Sequence, residues 1–150
     1  MTRGEARELA VHLIFSREFT GEDPEQVVAA RLEKEYYALL AQEADLYKDR
    51  PSGAQAAYID QVVTGVANRE EELNQKIQKY SIGWDVKRIS RITRAILQLS
   101  MFEILYLEDV PTGAAISEAV RLAKLYDGDE AGAFVNGILG SFARGLEAKL

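Results

Sequence analysis

The chain has 150 residues, of which 47% are hydrophobic, and its formal net charge is −6 at neutral pH. This length and apolar content are typical of one globular domain, or of two small subdomains that share a core, and they exclude a disordered chain. The absence of cysteine excludes disulfides and thiolate metal sites, and the single histidine, His12, excludes a multi-histidine metal site. No apolar run approaches the roughly 20 residues that span a bilayer. We therefore expect a cytoplasmic protein with no membrane contact, metal or cofactor.

The pattern of apolar residues predicts an all-α fold with about seven helices. Thr2 and Glu5 form a capping box, Asp23 before Pro24 starts a second helix, and Gly128 ends a later one. The main predicted helices cover approximately residues 2–19, 24–44, 52–80, 86–107, 115–126 and 134–146.

Short connections between these helices favour antiparallel neighbours and therefore small bundles. A change in composition near residues 80–84 divides the single domain, 1–150, into an N-terminal helical subdomain at about 1–80 and a C-terminal one at about 84–150. Each is expected to be a three-helix bundle, and the two are expected to pack together. Eight apolar residues are expected to be buried together: Ile96, Leu97, Leu99, Phe102, Ile116, Val120, Phe134 and Ile138.

The acidic net charge disfavours an autonomous nucleic-acid binder, but the charge is unevenly distributed. Residues 21–60 hold nine acidic and four basic side chains, whereas residues 85–94 hold four basic and one acidic. On the predicted central helix, which Asp85 would cap, a basic edge shares one face. Its members, at intervals of four, three and four, are Lys87, Arg91, Arg94 and Gln98. Such an edge either binds an anionic ligand or is a solvated face with salt bridges.

Three further basic residues leave similar alternatives open. Arg3 and Arg7 lie four residues apart on the first helix, away from its apolar stripe, so that they could contact an RNA backbone or pair with neighbouring glutamates. Lys124 lies near the end of its helix, where a cation is favourable to the helix dipole. His12 is expected to be a partly exposed helix residue.

The sequence offers little support for catalysis. No pair of carboxylates lies in an apolar setting that would separate their pKa values. Glu103 is on the apolar face of the central helix, where a hydrogen bond or an ion pair between helices is the expected role. We therefore predict that the chain is not an enzyme.

Four sequence blocks occur together in one order. They are Arg-Gly-Glu-Ala-Arg-Glu-Leu-Ala from residue 3, Trp84 followed by Arg-Ala-Ile-Leu from residue 94, Asp-Val-Pro from residue 109 with the helix after it, and Phe-Val-Asn-Gly from residue 134. In combination they resemble the bacterial NusB family of transcription antitermination factors, over residues 1–20 and 58–143. The resemblance implies two three-helix bundles without enzymatic activity. It also implies binding of boxA-type RNA together with NusE, a small-subunit ribosomal protein, in the transcription elongation complex that makes ribosomal RNA.

The resemblance also implies roles for individual residues. Arg3 and Arg7 match N-terminal arginines that approach RNA, and the second candidate RNA-binding surface consists of Arg91, Arg94, Gln98 and Lys124. Glu130 matches an acidic surface residue implicated in the family's complexes. The NusE surface is placed broadly, on the C-terminal subdomain and the helix pair between Glu103 and Glu118.

Residues 33–55 depart from the family pattern, because this segment is long, acidic and rich in tyrosine. This segment could change how the protein binds partners or associates with itself, so that a homodimer is one alternative. The alternative function is a purely protein-binding helical scaffold with little RNA affinity, in keeping with the net charge. An accessory domain of an RNA methyltransferase is disfavoured, since 150 residues leave no room for a cofactor-binding domain.

Overall fold

The computed structural model describes residues 1–84 and 89–148, and in these ranges it contains eight α-helices and one short 3-10 helix but no β-strand. The helices are α1 (Arg3–Thr20), α2 (Pro24–Arg31), α3 (Lys34–Leu40), α4 (Gly53–Asn68), α5 (Glu70–Tyr80), α6 (Arg91–Tyr106), α7 (Thr112–Asp127) and α8 (Asp129–Glu147), and the 3-10 helix is Asp45–Tyr47. The predicted all-α class is confirmed, with eight helices where about seven were expected. No helix in these ranges is both long and apolar enough to cross a membrane.

The chain divides into two compact units, Met1–Ala67 and Asn68–Leu150. The first unit contains α1 to α3, the 3-10 helix and nearly all of α4. The second contains α5 to α8. The sequence places the boundary after α5, at residues 80–84, but α5 packs against α6 and α8 and so belongs with the C-terminal helices.

Helix α1 begins at the predicted capping box. The Thr2 side chain accepts a hydrogen bond from the backbone N–H of Glu5, and the Glu5 carboxylate accepts one from the backbone N–H of Thr2, at 3.1 and 2.9 Å. These bonds satisfy N–H groups that the first turn leaves without helical partners. Hydrogen bonding to Thr2 also lowers the pKa of the Glu5 carboxyl.

Helix α2 starts as predicted, with Asp23 as N-cap and Pro24 in the first position. It ends at Arg31, so the prediction of one helix over residues 24–44 is wrong. The reason is local: the Glu33 carboxylate accepts hydrogen bonds from two backbone N–H groups of the following turn and thereby starts α3.

The tyrosine-bearing segment folds on itself through two buried rings. Tyr37 and Tyr47 pack edge to face, with their ring centroids 5.2 Å apart. Nη1 of Arg31 donates a 2.8 Å hydrogen bond to the Tyr47 hydroxyl, and the Tyr37 hydroxyl donates a 3.1 Å bond to the Asp49 carbonyl. Burial raises the pKa of Tyr37 to about 12. The segment is therefore an ordered part of the first unit.

The predicted third helix is also two helices. Arg69 interrupts it with φ −123° and ψ 22°, outside helical geometry. Three consecutive glutamates, residues 70–72, then occupy the first turn of α5. Negative charge there is favourable to the partial positive charge of a helix N-terminus, which stabilises a new start at this point.

Helix α6 contacts the three other helices of the second unit, α5, α7 and α8, and so does α8. All nine residues from Ala95 to Glu103 are buried. The helix starts later than expected: Ile89 is not helical, and Ser90 is the N-cap, whose hydroxyl accepts a 3.1 Å hydrogen bond from the backbone N–H of Thr93. The predicted cap at Asp85 lies outside the described residues.

The predicted core is confirmed at six positions and wrong at two. Ile96, Leu97, Leu99, Phe102, Phe134 and Ile138 are buried. Ile116 and Val120 on α7 are half-buried. Helix α7 buries a narrow stripe of mostly small residues against its neighbours, and these two side chains lie at the edge of that stripe. The stripe consists of Ala115, Ala119, Leu122 and Ala123.

Candidate nucleic-acid interface

The first turn of α6 carries two of the predicted RNA-binding residues. Arg91 is exposed, and Arg94, one turn later, is half-buried. Gln98 is buried, and its Nε2 donates a 2.9 Å hydrogen bond to Oδ1 of Asn74 on α5. Because α5 covers this part of the face, the prediction that Gln98 contacts RNA is wrong. Lys87 lies outside the described residues, so the basic edge that can be followed consists of Arg91 and Arg94.

The first turn of α6 contributes positive charge. It contains no acidic residue. The unpaired N–H groups of a helix N-terminus carry partial positive charge, so that a cation there costs about 0.3–1 kcal/mol at an exposed position. Arg91 and Arg94 add to this positive charge, in a helical turn where acidic residues are the favourable ones. The Asp127 carboxylate lies at this end of the helix and offsets part of the positive charge.

An open cavity of about 490 Å³ lies beside this turn. Its lining is Gly83, Trp84, Ile89, Ser90, Thr93, Asp127, Glu130, Ala131 and Phe134. The Trp84 ring is 45% exposed and packs edge to face on Phe134, with centroids 4.8 Å apart. Oδ2 of Asp127 accepts hydrogen bonds from the hydroxyls of Ser90 and Thr93, at 2.7 and 2.8 Å. The cavity thus combines an aromatic wall, on which a base can stack, with carboxylate acceptors.

Lys124 and Glu130 lie at the corner where α7 meets α8. Both are exposed, and Glu130 lines the cavity from the first turn of α8. The aliphatic part of Lys124 lies across Gly132, where a Cβ atom would overlap it. The fold therefore brings the predicted RNA-binding lysine and the predicted partner-binding glutamate to one edge of the second unit.

The other two predicted partner-binding glutamates differ in exposure. Glu103 is completely buried on α6 and has its own contacts within the protein. It therefore cannot meet a partner at the surface, and that prediction is wrong because the apolar face that carries Glu103 is covered by other helices. Glu118 is half-buried on α7 and forms a 2.9 Å salt bridge with Arg121.

In the first unit, Arg3 and Arg7 lie on the ring of Tyr58 from α4. The Cζ atoms of the two arginines are 4.2 and 5.8 Å from the ring centroid. Nε of Arg3 also donates a 2.8 Å hydrogen bond to Oε1 of Gln55. Arg3 is half-buried, but Arg7 is only 8% exposed. The prediction that both lie on an open face of α1 is therefore wrong for Arg7, which is buried.

His12 lies further along α1 and is half-buried, in agreement with the sequence. Burial, and secondly the positive charge of Arg31, lower the pKa of its imidazole below the usual 6.5. The neutral form is therefore favoured in the folded protein.

Sequence reasoning missed four residues that shape these sites: Gln55, Tyr58, Thr93 and Asp127. Tyr58 lies at an apolar position of the helical pattern, which indicates burial but not a contact with the two arginines. The pairing of Thr93 with Asp127 links positions 34 residues apart, and no local signal reports such a contact. The sequence does contain a signal for the capping role of Ser90. Serine is a preferred N-cap residue, and the Ser90 side chain accepts a hydrogen bond from the backbone N–H three residues later, at Thr93.

Comparison with known proteins decides the family. The model of the NusB family matches residues 4–144. The chain belongs to the NusB family. It is 39% identical over 147 residues to the transcription antitermination protein NusB of Symbiobacterium thermophilum, covering 98% of this chain and 92% of that protein. It is 38% identical over 144 residues to the Acetivibrio thermocellus protein of the same name, covering 96% of this chain and 90% of that protein.

Solved structures agree with this assignment. T. maritima NusB superposes with a TM-score of 0.77 at 26% identity, covering 96% of this chain and 92% of the other. A structure of the antitermination factors NusB and NusE in complex with double-stranded RNA superposes with a TM-score of 0.74 at 22% identity, covering 95% of this chain and 96% of the other. At that identity it supports the fold alone. The NusB family is non-enzymatic, which confirms the prediction that this chain is not an enzyme. Within the described ranges, no group of three or more acidic or histidine side chains is placed to hold a metal ion.

Proposed function

We propose that this protein is an RNA-binding transcription antitermination adaptor, which binds boxA-type RNA together with the ribosomal protein NusE in the transcription elongation complex. The observation that carries the proposal is the family match over residues 4–144, supported by near full-length relatives named transcription antitermination protein. The partners proposed are those of a NusB–NusE complex with double-stranded RNA, whose NusB has the same fold. An adaptor of transcription works in the bacterial cytoplasm.

The exposed cations are the proposed RNA contacts. Arg91 and Arg94 add two positive charges to the N-terminus of α6, and Lys124 is exposed at the nearby corner of α7 and α8. Guanidinium groups bind phosphate oxygens through paired N–H donors. The exposed Trp84 ring supplies a stacking surface for an unpaired base beside these cations. Arg3 is the proposed contact in the first unit.

Acidic side chains are the proposed contacts for the protein partner, NusE. Glu118 and Glu130 are retained as contacts for NusE or another component of the complex, whereas buried Glu103 is not. A basic partner would offset part of the −6 net charge and contribute its own phosphate contacts.

A salt titration tests the proposal. Affinity for a fluorescently labelled boxA-type RNA is measured by anisotropy, with and without NusE, at several salt concentrations. Because RNA binding releases counterions, the logarithm of the association constant should fall linearly with the logarithm of the salt concentration. Arg91→Ala should weaken binding and reduce the slope by about one unit, as expected for one lost phosphate contact.

Lys34→Ala is the matched control. Lys34 is exposed on α3, and its loss removes the same charge away from the proposed contacts. It should leave the affinity and the slope close to those of the parent. If NusE binds but no RNA signal appears at any salt concentration, with or without NusE, the protein-only scaffold is correct instead.

A further inference from the structure

The guanidinium group of Arg3 is held from two directions by α4. Its Nε donates a 2.8 Å hydrogen bond to Oε1 of Gln55, and its Cζ lies 4.2 Å above the centroid of the Tyr58 ring. Tyr58 is only 3% exposed, so the atoms packed around its ring restrict its movement. An arginine normally moves through many rotamers, and these two contacts favour one orientation of the Arg3 side chain.

The two contacts leave one side of the Arg3 guanidinium available. They use its Nε–H and one face, while its two Nη groups make no hydrogen bond to any residue in the described part of the chain. The side chain is half-buried rather than buried, so that this edge can be reached from solvent. A pair of parallel N–H groups matches two oxygens of a phosphate.

A second positive charge lies on the same ring. The Cζ of Arg7 is 5.8 Å from the Tyr58 centroid, and the residue is 8% exposed. Arg7 is therefore too enclosed to follow a flexible ligand. The edge that a ligand can reach is therefore that of Arg3.

We propose that Gln55 and Tyr58 are positioning residues that present the Nη edge of Arg3 to a phosphate of the RNA backbone. The inference rests on the proposed function, since it names residues that prepare one of its RNA contacts. Ordering Arg3 before binding reduces the side-chain entropy that the complex would otherwise lose. Neither positioning residue needs to touch the RNA.

The test is a double-mutant cycle of Arg3→Ala and Gln55→Ala, read as affinity for boxA-type RNA in the presence of NusE. Arg3→Ala should weaken binding roughly tenfold and lower the salt slope by about one unit. Gln55→Ala should weaken binding about 2- to 10-fold and leave the slope unchanged, because the charge remains but is no longer ordered. In the double variant, loss of Gln55 should have no further effect.

Gln61→Ala is the matched control, since Gln61 is exposed on the same helix. It should bind RNA like the parent. Gln55 is half-buried near the start of α4, so its replacement by alanine should leave the urea unfolding midpoint close to that of the control. Tyr58→Phe, which keeps the ring, should retain parental affinity, whereas Tyr58→Leu should not.

The outcomes separate the two proposals. If the parent protein binds RNA and the effects of Arg3→Ala and Gln55→Ala simply add, Gln55 does not act through Arg3 and the positioning role is refuted alone. The same holds if Gln55→Ala binds like Gln61→Ala. If the parent fails to bind RNA even with NusE present, the proposed function and this inference are both overturned.

Discussion

Gln98 and Asn74 satisfy each other inside the second unit. Their amide groups share a 2.9 Å hydrogen bond between α6 and α5, and Gln98 is 6% exposed. A buried amide without a partner loses its hydration and gains nothing in return. The pair is therefore expected to stabilise the contact of α5 with α6, rather than to serve a ligand.

Replacing one member of this pair should reveal its contribution. Asn74→Ala leaves the Gln98 amide buried without that acceptor, so the free energy of unfolding should fall by about 1–3 kcal/mol. Gln75→Ala, at an exposed position next along α5, should stay within about 0.5 kcal/mol of the parent. Both are measured by urea unfolding. Equal stability of the two variants would show that water replaces the lost bond.

His12 makes stability depend on pH. Its folded pKa is lowered, first by burial and then by Arg31, whereas the unfolded imidazole titrates near 6.5. Between the folded pKa and 6.5 the unfolded chain binds more protons, so acidification favours unfolding in this interval. Above pH 6.5 both states are neutral and this contribution is constant.

His12→Gln should remove this part of the pH dependence. Urea unfolding at about pH 7.5 and about pH 5.5 gives the loss of stability on acidification for each protein. The loss should be larger for the parent than for the variant, because carboxyl groups elsewhere titrate alike in both. An equal loss would mean that His12 is protonated as readily in the folded protein as in the unfolded chain.

At the level of helices, Gly128 joins α7 to α8 with a conformation that other residues avoid. Its φ is 94° and its ψ is 176°, a region essentially limited to glycine. No atom lies within 4 Å of the position a Cβ would take, so that any cost of substitution comes from the backbone. This connection sets the corner where Lys124 and Glu130 lie.

Gly128→Ala should therefore destabilise the protein by about 1–3 kcal/mol through backbone strain. Gly113→Ala is the control, for which we expect the free energy of unfolding to change in the opposite direction. Gly113 lies in α7 without a positive φ and has no atom within 4 Å of its Cβ position, so alanine there should stabilise by up to about 1 kcal/mol. The urea concentration at the midpoint of unfolding is measured for both variants and for the parent. Two shifts of the same sign would contradict the argument.

The sequence predicts helix ends where a short motif determines them. Thr2 with Glu5, Asp23 before Pro24, and Gly128 were all found, because each motif acts within one turn. The interruptions before α3 and at Arg69 were missed, since neither contains glycine or proline and the apolar spacing continues through them. Packing of the tyrosines near α3 is a longer-range effect that periodicity does not report.

The same limit applies to the candidate site. Spacing correctly grouped Arg91, Arg94 and Gln98 on one face, but it could not show that α5 covers the last of them. It likewise could not show that Arg7 is buried. A periodic pattern gives the direction of a side chain on its own helix, whereas exposure depends on neighbours that are distant in sequence.

At the level of the whole molecule, charge limits what the protein can do alone. A net charge of −6 repels a polyanion, because 24 acidic residues outnumber 18 basic ones. Electrostatic attraction provides most of the non-specific affinity of proteins for nucleic acids. We therefore expect weak binding of RNA by the isolated chain, with useful affinity only when a basic partner adds further phosphate contacts.

This expectation leads to a prediction about linkage. NusE should strengthen RNA binding by a factor that corresponds to about 1–3 kcal/mol, the usual range for coupled sites. Reciprocity then requires RNA to strengthen NusE binding by the same factor. All four equilibria can be measured at one salt concentration, by anisotropy for RNA and calorimetry for NusE. Equal RNA affinity with and without NusE would count against the adaptor model, because it would mean that the docked partner adds no phosphate contacts to those of this protein.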